Sequence, residues 1–483
     1  MDVSGDAVVP PLPDSNPVDS ISDGPTNRLS TAALWVLIGR GLGVGTMLVY
    51  TAAMPRLLSQ QDFGEWTLIL SFVGFAVFVA QVGLPAAAIR FIAEGLVHGN
   101  TARISRTLIL SFRLLAVTAT LTGIGLAWFI HTRGATKYHF DGVVWLAPLA
   151  AVVVILLSWQ QFTAESLRGF HEIRYASLLG GGQFGGPLTV LIFLVLLAVL
   201  FVQGILTLST ALASLAASVS LTLSLGLIGL RQTQHRSDRL SLKATGEGHA
   251  TVTLPELLSV CIPFLLVQLL AFVSLNFDIW QAGIYCSKED VALYGAARRL
   301  IVILTLPTQF IVMAVIASIP DLHARGRIDE LRTVIRRCAT LAAVPALLVG
   351  LIYFLAAGPV LGIVNGPAYR AGAAALMILA VGQMIASCGG PGGYVLVMTG
   401  RQNAVLAINL VIALSVVAVC PWAAQRYGIL GLAVTYSCAA TVQNLAECVA
   451  CRWLIGIWSC MDPRPGTWRW LATFIIDRIR FRR

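Results

Sequence analysis

Charge is what this chain has least of. Asp, Glu, Lys and Arg make up 12% of its residues, where a water-soluble domain carries about 25%. At 483 residues a soluble chain would have several charged domain surfaces, and that class is excluded. Cysteine is missing from the first half: all nine lie after residue 260, mostly inside apolar runs. That placement excludes a disulfide framework. Cys448 and Cys451 have CxxC spacing, but no second pair stands nearby, so no metal or other cofactor is expected. No Asp-x-Asp or nucleotide-binding motif occurs, and the longest outer loops, near 55–65 and 131–142, are only about a dozen residues. This argues against an enzyme that polymerises or ligates glycans in the membrane. The run Gly39–Gly45 is only superficially a phosphate loop, because no strand precedes it. Gly41 and Gly45 suit close helix contact instead. Residues 1–29 hold no apolar stretch of signal-peptide length. Rich in Pro, Asp and Ser, they read as a disordered tail.

What is present is apolar residue in long packets. Hydrophobic residues are 57% of the chain, and a bilayer-spanning helix needs about 20 in a row. Twelve packets are readable, near 32–54, 66–89, 107–130, 143–164, 176–201, 204–230, 255–284, 291–318, 338–357, 371–398, 404–421 and 428–450. Barrel strands would be shorter and would alternate. With the N-terminus placed inside, 23 Lys and Arg fall on the cytoplasmic side and six outside, with Arg40, Arg113, Arg298 and Arg299 left within helices. The positive-inside rule predicts this skew, and one missed helix would scramble it. The expected fold is therefore all-α and polytopic, in the plasma (inner) membrane, with both termini cytoplasmic. The net charge of +10 is accounted for by anionic lipid and needs no nucleic acid.

The polar segment 231–253 follows six helices and precedes six more. It divides an N-lobe at 30–230 from a C-lobe at 254–451. The remainder, 452–483, reads as a tail whose Trp468, Leu471, Phe474, Ile475 and Phe481 suit an amphipathic helix on the inner leaflet. The lobes share a pattern. Ser59, Asp62, Phe63 and Trp66 lead into the second packet as Ser287, Asp290, Val291 and Tyr294 lead into the eighth. Six helices per lobe make this a parallel repeat about an axis along the membrane normal, with a central cleft. Two glycine clusters interrupt helices: Gly180–Gly182 with Gly185, Gly186 and Pro187, and Gly389, Gly390, Pro391, Gly392 and Gly393. Each is either a hinge lining a wet path or a packing kink.

From here the sequence resembles a known family. Arg56 through Trp66 after the first helix, Gly83-Leu84, and Arg90 through Glu94 carry the likeness in the first lobe. In the second, Asp278, Tyr294 through Leu300, Pro307, Tyr369, Leu379 and Gly400-Arg401 carry it. The chain over 30–450 is similar to the oligosaccharide-lipid flippases, the Wzx-type polysaccharide exporters of the multidrug/oligosaccharidyl-lipid/polysaccharide superfamily. The resemblance implies a glycan on undecaprenyl diphosphate, flipped to the outer leaflet through a cationic cavity between two six-helix lobes. It implies as partners the lipid-linked substrate, membrane lipids and polysaccharide polymerase and assembly proteins, with the chain itself a monomer.

Charge inside helices marks the candidate site. A charge at mid-bilayer costs at least about 2.5–3.5 kcal/mol on insertion scales. Arg40 and Arg113 are each expected either to contact a diphosphate or to snorkel to headgroups. Asp278 lies near Arg298 and Arg299 on the next helix, as a tie between helices or as a gating or coupling group. Glu165 and Glu447 are expected to pair with Arg168 and Arg452. A drug or organic-cation antiporter of the same superfamily would want carboxylates in its first lobe; the cores of the first two packets have none, and Arg40 sits there instead.

Overall fold

A computed structural model describes residues 25–97, 100–182, 184–241, 253–315, 318–462 and 464. The expected amphipathic helix near 468–481, residues 242–252 of the linker and the tail before Pro25 lie outside the described residues. The first lobe runs α1 (Pro25–Leu57), α2 (Gln60–Gln81), α3 (Leu84–Val97) and α4 (Thr101–Phe129). A π turn at Ile130–Gly134 then leads to α5 (Ala135–Lys137), α6 (Val143–Gly169), α7 (Ile173–Leu179), α8 (Pro187–Val202) and α9 (Leu208–Ser241). The second lobe runs α10 (Leu254–Tyr285), α11 (Lys288–Val315), α12 (Ser318–Ala324), α13 (Ile328–Leu355) and α14 (Ala357–Val364). After a 3-10 turn at Pro367–Gly372 come α15 (Ala373–Cys388), α16 (Gly392–Met398) and α17 (Gln402–Ile455).

Among the described residues, nine of these segments are long and apolar enough to cross a bilayer. One of them, α17, turns at Gly428 (φ 57°, ψ −141°) and so crosses twice. With α1 and the shorter apolar α8, the crossings are the twelve expected, in two bundles of six. The helix starts differ from the expected ones. The second span begins at Gln60, because Ser59 caps α2 by accepting a hydrogen bond from the Asp62 N–H. Polar residues 60–65 are thus a helical turn, and Glu65 lies in α2, only 2% exposed. The first lobe does hold a carboxylate inside a helix.

The repeat is visible in the bonds. Ser287 caps α11 as Ser59 caps α2, its Oγ accepting from Asp290 N–H at 3.1 Å. The aromatic that ends each motif reaches back to the preceding helix. Trp66 Nε1 donates to Tyr50 Oη at 2.8 Å, and Tyr294 Oη donates to Asp278 Oδ2 at 2.5 Å. The two capped helix starts meet across the lobes. A Cβ at Gly64 would stand 2.2 Å from the Lys288 carbonyl oxygen, so only glycine permits this crossing. Further along, an aromatic seam joins α2 to α10, with Phe72 stacked on Trp280 at 5.6 Å and Phe78 against Phe272 at 5.3 Å.

Polar bonds between the lobes shut this end of the bundle, called here the closed end. Lys288 Nζ of the second lobe reaches Glu65 at 2.5 Å and Asp141 at 2.8 Å in the first. Gln61 Nε2 donates to Glu289 Oε1 at 2.5 Å, and Asn365 Nδ2 donates to the Thr51 carbonyl at 3.1 Å. Arg56 donates to the Ile363 carbonyl.

Candidate functional site: a cationic cavity between the lobes

Away from the closed end the lobes part. A cavity of about 570 Å³ lies between α1, α7, α8 and α11. Its mouth is exposed at Arg40, Gly181, Gly182, Gln309 and Phe310. At its apex Arg299 lines the cavity, and behind it Tyr50, Phe63 and Tyr369 are at most 3% exposed. Among the described residues, the cavity lining contains three arginines, Arg40, Arg168 and Arg299, and no Asp or Glu.

Local chemistry positions each cation. Arg40 lies on α1 among Gly39, Gly43 and Gly45, and Gly39 packs closely on Ser177 of α7. Arg168 sits in the last turn of α6, tied to Glu165 at 2.5 Å. Sequence reasoning placed it at a helix end as the partner of Glu165; its presence in the wall depends on how α6 packs against α7. Arg299 projects from α11 at the apex. Its guanidinium lies 5.0 Å from the Tyr50 ring and 4.8 Å from the Phe63 ring, both in the opposite lobe. Its Nη1 is buried with no hydrogen-bond partner.

The other candidates lie elsewhere. Arg298 turns into the second lobe, where Nε is 3.0 Å from Asp278 Oδ2 and the guanidinium covers the Tyr436 ring at 3.6 Å. Asp278, 1% exposed, is bound by Arg298 and Tyr294 rather than by Arg299. Arg113 is not part of the cavity lining. It is exposed, in a stripe with Ile109, Val117, Leu121 and Trp128, the apolar face that α4 turns outward. That placement is the one from which an arginine snorkels.

The two glycine clusters also divide. Gly180, Gly181, Gly182, Gly185 and Gly186 form the non-helical link from α7 to α8, and this backbone lines the cavity. Gly389 to Gly393 break the helix between α15 and α16, but away from the cavity. The break is tied down: Ser459 Oγ donates to the Gly389 carbonyl at 3.1 Å, Cys451 Sγ to the Gly392 carbonyl at 3.3 Å, and Met461 N–H to the Cys388 carbonyl at 2.9 Å. Glu447 is part of the same tie. It accepts from Gly393 N–H at 3.0 Å and from Gln443 at 3.3 Å, while Arg452 donates to the Gly456 carbonyl. The expected Glu447–Arg452 pair is replaced because a backbone amide freed by the helix break lies closer.

A twelve-span, two-lobed bundle around an interlobe cavity defines a multi-pass membrane protein. The chain belongs to the family described as "Polysaccharide biosynthesis protein", whose profile matches residues 30–323. The MatE profile matches residues 263–422. No curated protein matches the chain. Among solved structures, an inward-facing multidrug resistance MATE family transporter of the MOP superfamily is similar at a TM-score of 0.64. It is 14% identical, over 89% of this chain and 97% of that one. The lipid II flippase MurJ in an inward closed conformation is similar at 0.61, with 13% identity over 88% and 87%. A MOP superfamily transporter from Pyrococcus furiosus is similar at 0.54, with 16% identity over 89% and 95%. The chain is a multi-pass membrane protein of the polysaccharide biosynthesis family, with the fold of these transporters.

Proposed function

We propose that this transporter flips an undecaprenyl-diphosphate-linked oligosaccharide from the cytoplasmic to the outer leaflet by alternating access, supplying polysaccharide assembly. The observation that carries the reading is the cavity lining: among the described residues it holds three arginines, of which Arg168 is paired with Glu165 behind the wall, and no Asp or Glu. Such a cavity repels an organic cation and attracts a diphosphate, which guanidinium forks bind through paired N–H donors. A glycan hydroxyl left unpaired in hydrocarbon costs roughly 2–7 kcal/mol, so a wet interlobe path removes most of the barrier to crossing. Leu48, Val302, Leu306 and Phe310 give the cavity an apolar wall, against which a lipid stem can lie while its tail stays in the bilayer. In this reading the open mouth faces the cytoplasm, both termini are cytoplasmic, and the membrane is the plasma membrane. The inside-negative potential then favours outward movement of an anion, by about 2.3 kcal/mol per charge per 100 mV. The partners are the lipid-linked glycan, bilayer lipids and the polymerase and assembly proteins that take up the product. Family membership and the MurJ-like fold support the same class of cargo.

The test is export of the lipid-linked glycan by cells carrying Arg40 variants at matched protein levels. Arg40→Ala should abolish export, with undecaprenyl-linked glycan accumulating on the cytoplasmic side. Arg40→Lys should keep part of it, because a point charge still attracts phosphate. Normal export in both Arg40→Ala and Arg40→Gln would remove Arg40 as a ligand. Normal export with Arg299→Gln as well would overturn the reading.

A further inference from the structure

The apex arginine has two roles available to it, and the structure puts them in competition. Arg299 belongs to the second lobe; Tyr50 and Phe63, whose rings it contacts at 5.0 and 4.8 Å, belong to the first. Phe63 in turn meets Tyr369 of the second lobe edge to face at 5.8 Å. These four side chains alternate between lobes as one wall; Arg299 lines the cavity, and the three rings are buried behind it. Unused hydrogen-bonding capacity gathers in the same wall. Arg299 Nη1, Tyr369 Oη and Asn365 Oδ1 are all buried without a hydrogen-bond partner, and Asn365 is bonded through its Nδ2 to Thr51 of α1. No Asp or Glu forms an ion pair with Arg299 among the described residues.

We propose that Arg299 couples cargo to the gate: an anion arriving at the apex draws its guanidinium out of the Tyr50–Phe63 contact and so loosens the closed end. The inference rests on the diphosphate reading above. Its physical basis is a difference in ring electrostatics. The face of an aromatic ring is negative; it attracts a bare guanidinium and repels phosphate oxygens. While the cavity is empty, the partners of Arg299 are the two rings and the Tyr50 hydroxyl, and they hold the lobes together. When a diphosphate binds, a charge-assisted bidentate contact displaces a weaker cation–π one. The anion also brings negative charge against the ring faces. Anion binding therefore favours the conformation in which the two lobes no longer share this wall, as a ligand must if it is to shift the equilibrium. The N–H of Nη1 and the O–H of Tyr369 are the donors left to receive the anion. Because the wall and the cation are one structure, the gate loosens only when the cavity is loaded, and futile opening is avoided.

The experiment is hydrogen exchange on the full chain in nanodiscs, with farnesyl diphosphate as the probe and farnesol as its uncharged control. Binding is measured on the same samples. Farnesyl diphosphate should bind and speed exchange at residues 58–66 and 286–294 by about tenfold, the scale of one lost cation–π contact; farnesol should not. Phe63→Leu, which keeps an apolar side chain but removes the ring face, should speed exchange there with no ligand. In Arg299→Met, saturating farnesyl diphosphate held by Arg40 should produce no such response. Binding without any change at these segments in the unaltered chain would overturn the coupling and leave the cationic cavity standing. A response that persists in Arg299→Met would also overturn it. No binding at all would remove the diphosphate reading and the coupling with it.

Discussion

Neighbouring arginines on α11 end in different surroundings because a helix turns about 100° per residue. Arg298 faces the interior of its own lobe and finds Asp278, Tyr294 and Tyr436; Arg299 faces the cavity and finds the rings of the other lobe. Removing one member of a buried ion pair leaves the other uncompensated, at about 3–5 kcal/mol. Asp278→Asn should therefore lower stability by about that amount, read as earlier unfolding of the purified protein. Tyr294→Phe should cost less, about 1.5–3 kcal/mol, since the hydroxyl donates to a charged acceptor that keeps Arg298. Combining Asp278→Asn with Arg298→Met should cost less than the sum of the two, because they act on one pair. Full stability with lost transport in Asp278→Asn would instead make Asp278 a coupling group. The sequence could show that Asp278 and two arginines were neighbours, but not which arginine it holds. That choice depends on the phase of α11 against α10 and α17.

Helix interruptions look alike in sequence and differ in use. The α7–α8 link leaves its glycine backbone against the cavity, where water can reach it. The α15–α16 break is instead clamped by Ser459, Cys451 and Glu447. Gly390 is the test of that clamp. Its φ is +71°, and a Cβ would fall 2.0 Å from the Ser459 carbonyl oxygen. Gly390→Ala should cost well above the roughly 1–3 kcal/mol of backbone strain alone, seen as lost folded yield. Gly400→Ala is the control: its φ is +79°, but a Cβ there meets nothing within 4 Å. It should show the strain and no more. Equal losses in the two variants would mean that the contact with Ser459 contributes nothing. The composition Gly-Gly-Pro-Gly-Gly announced a break at this place. It could not announce the clamp, because the residues that make it lie more than fifty positions along the chain.

Across the whole molecule, the closed end is held by polar bonds that each join one lobe to the other. Lys288 is their centre, between Glu65 and Asp141. Lys288→Met leaves buried Glu65 without its cation, held only by the Asp141 N–H, and should weaken the closure; hydrogen exchange at 285–292 should be faster than in the unaltered chain. A variant as protected as the original would show that the Gly64 crossing and the aromatic seam hold the end by themselves. Topology has its own test. Reporter fusions at Lys137, Gln203 and Tyr427 should read outside, and those at His98, Gln234 and Gln402 inside. A reversed result at either end of the set would overturn the charge-based orientation.

The sequence by itself determined that this is an all-helical membrane protein of about twelve spans in two bundles, and which residues cap the first helix pair of each repeat. These are one-dimensional properties: apolar run length is matched to bilayer thickness, and a Ser-x-x-Asp cap is local. The tertiary structure alone decided which charges share a space. Arg40, Arg168 and Arg299 are brought to one cavity, Arg113 is turned outward on α4, and Glu65 is drawn into a helix and locked to Lys288. Each of those outcomes depends on which face of a helix meets which neighbour. In a chain this apolar, nearly every face is greasy enough to pack, so the hydrophobic pattern that orients a helix in water carries little information here.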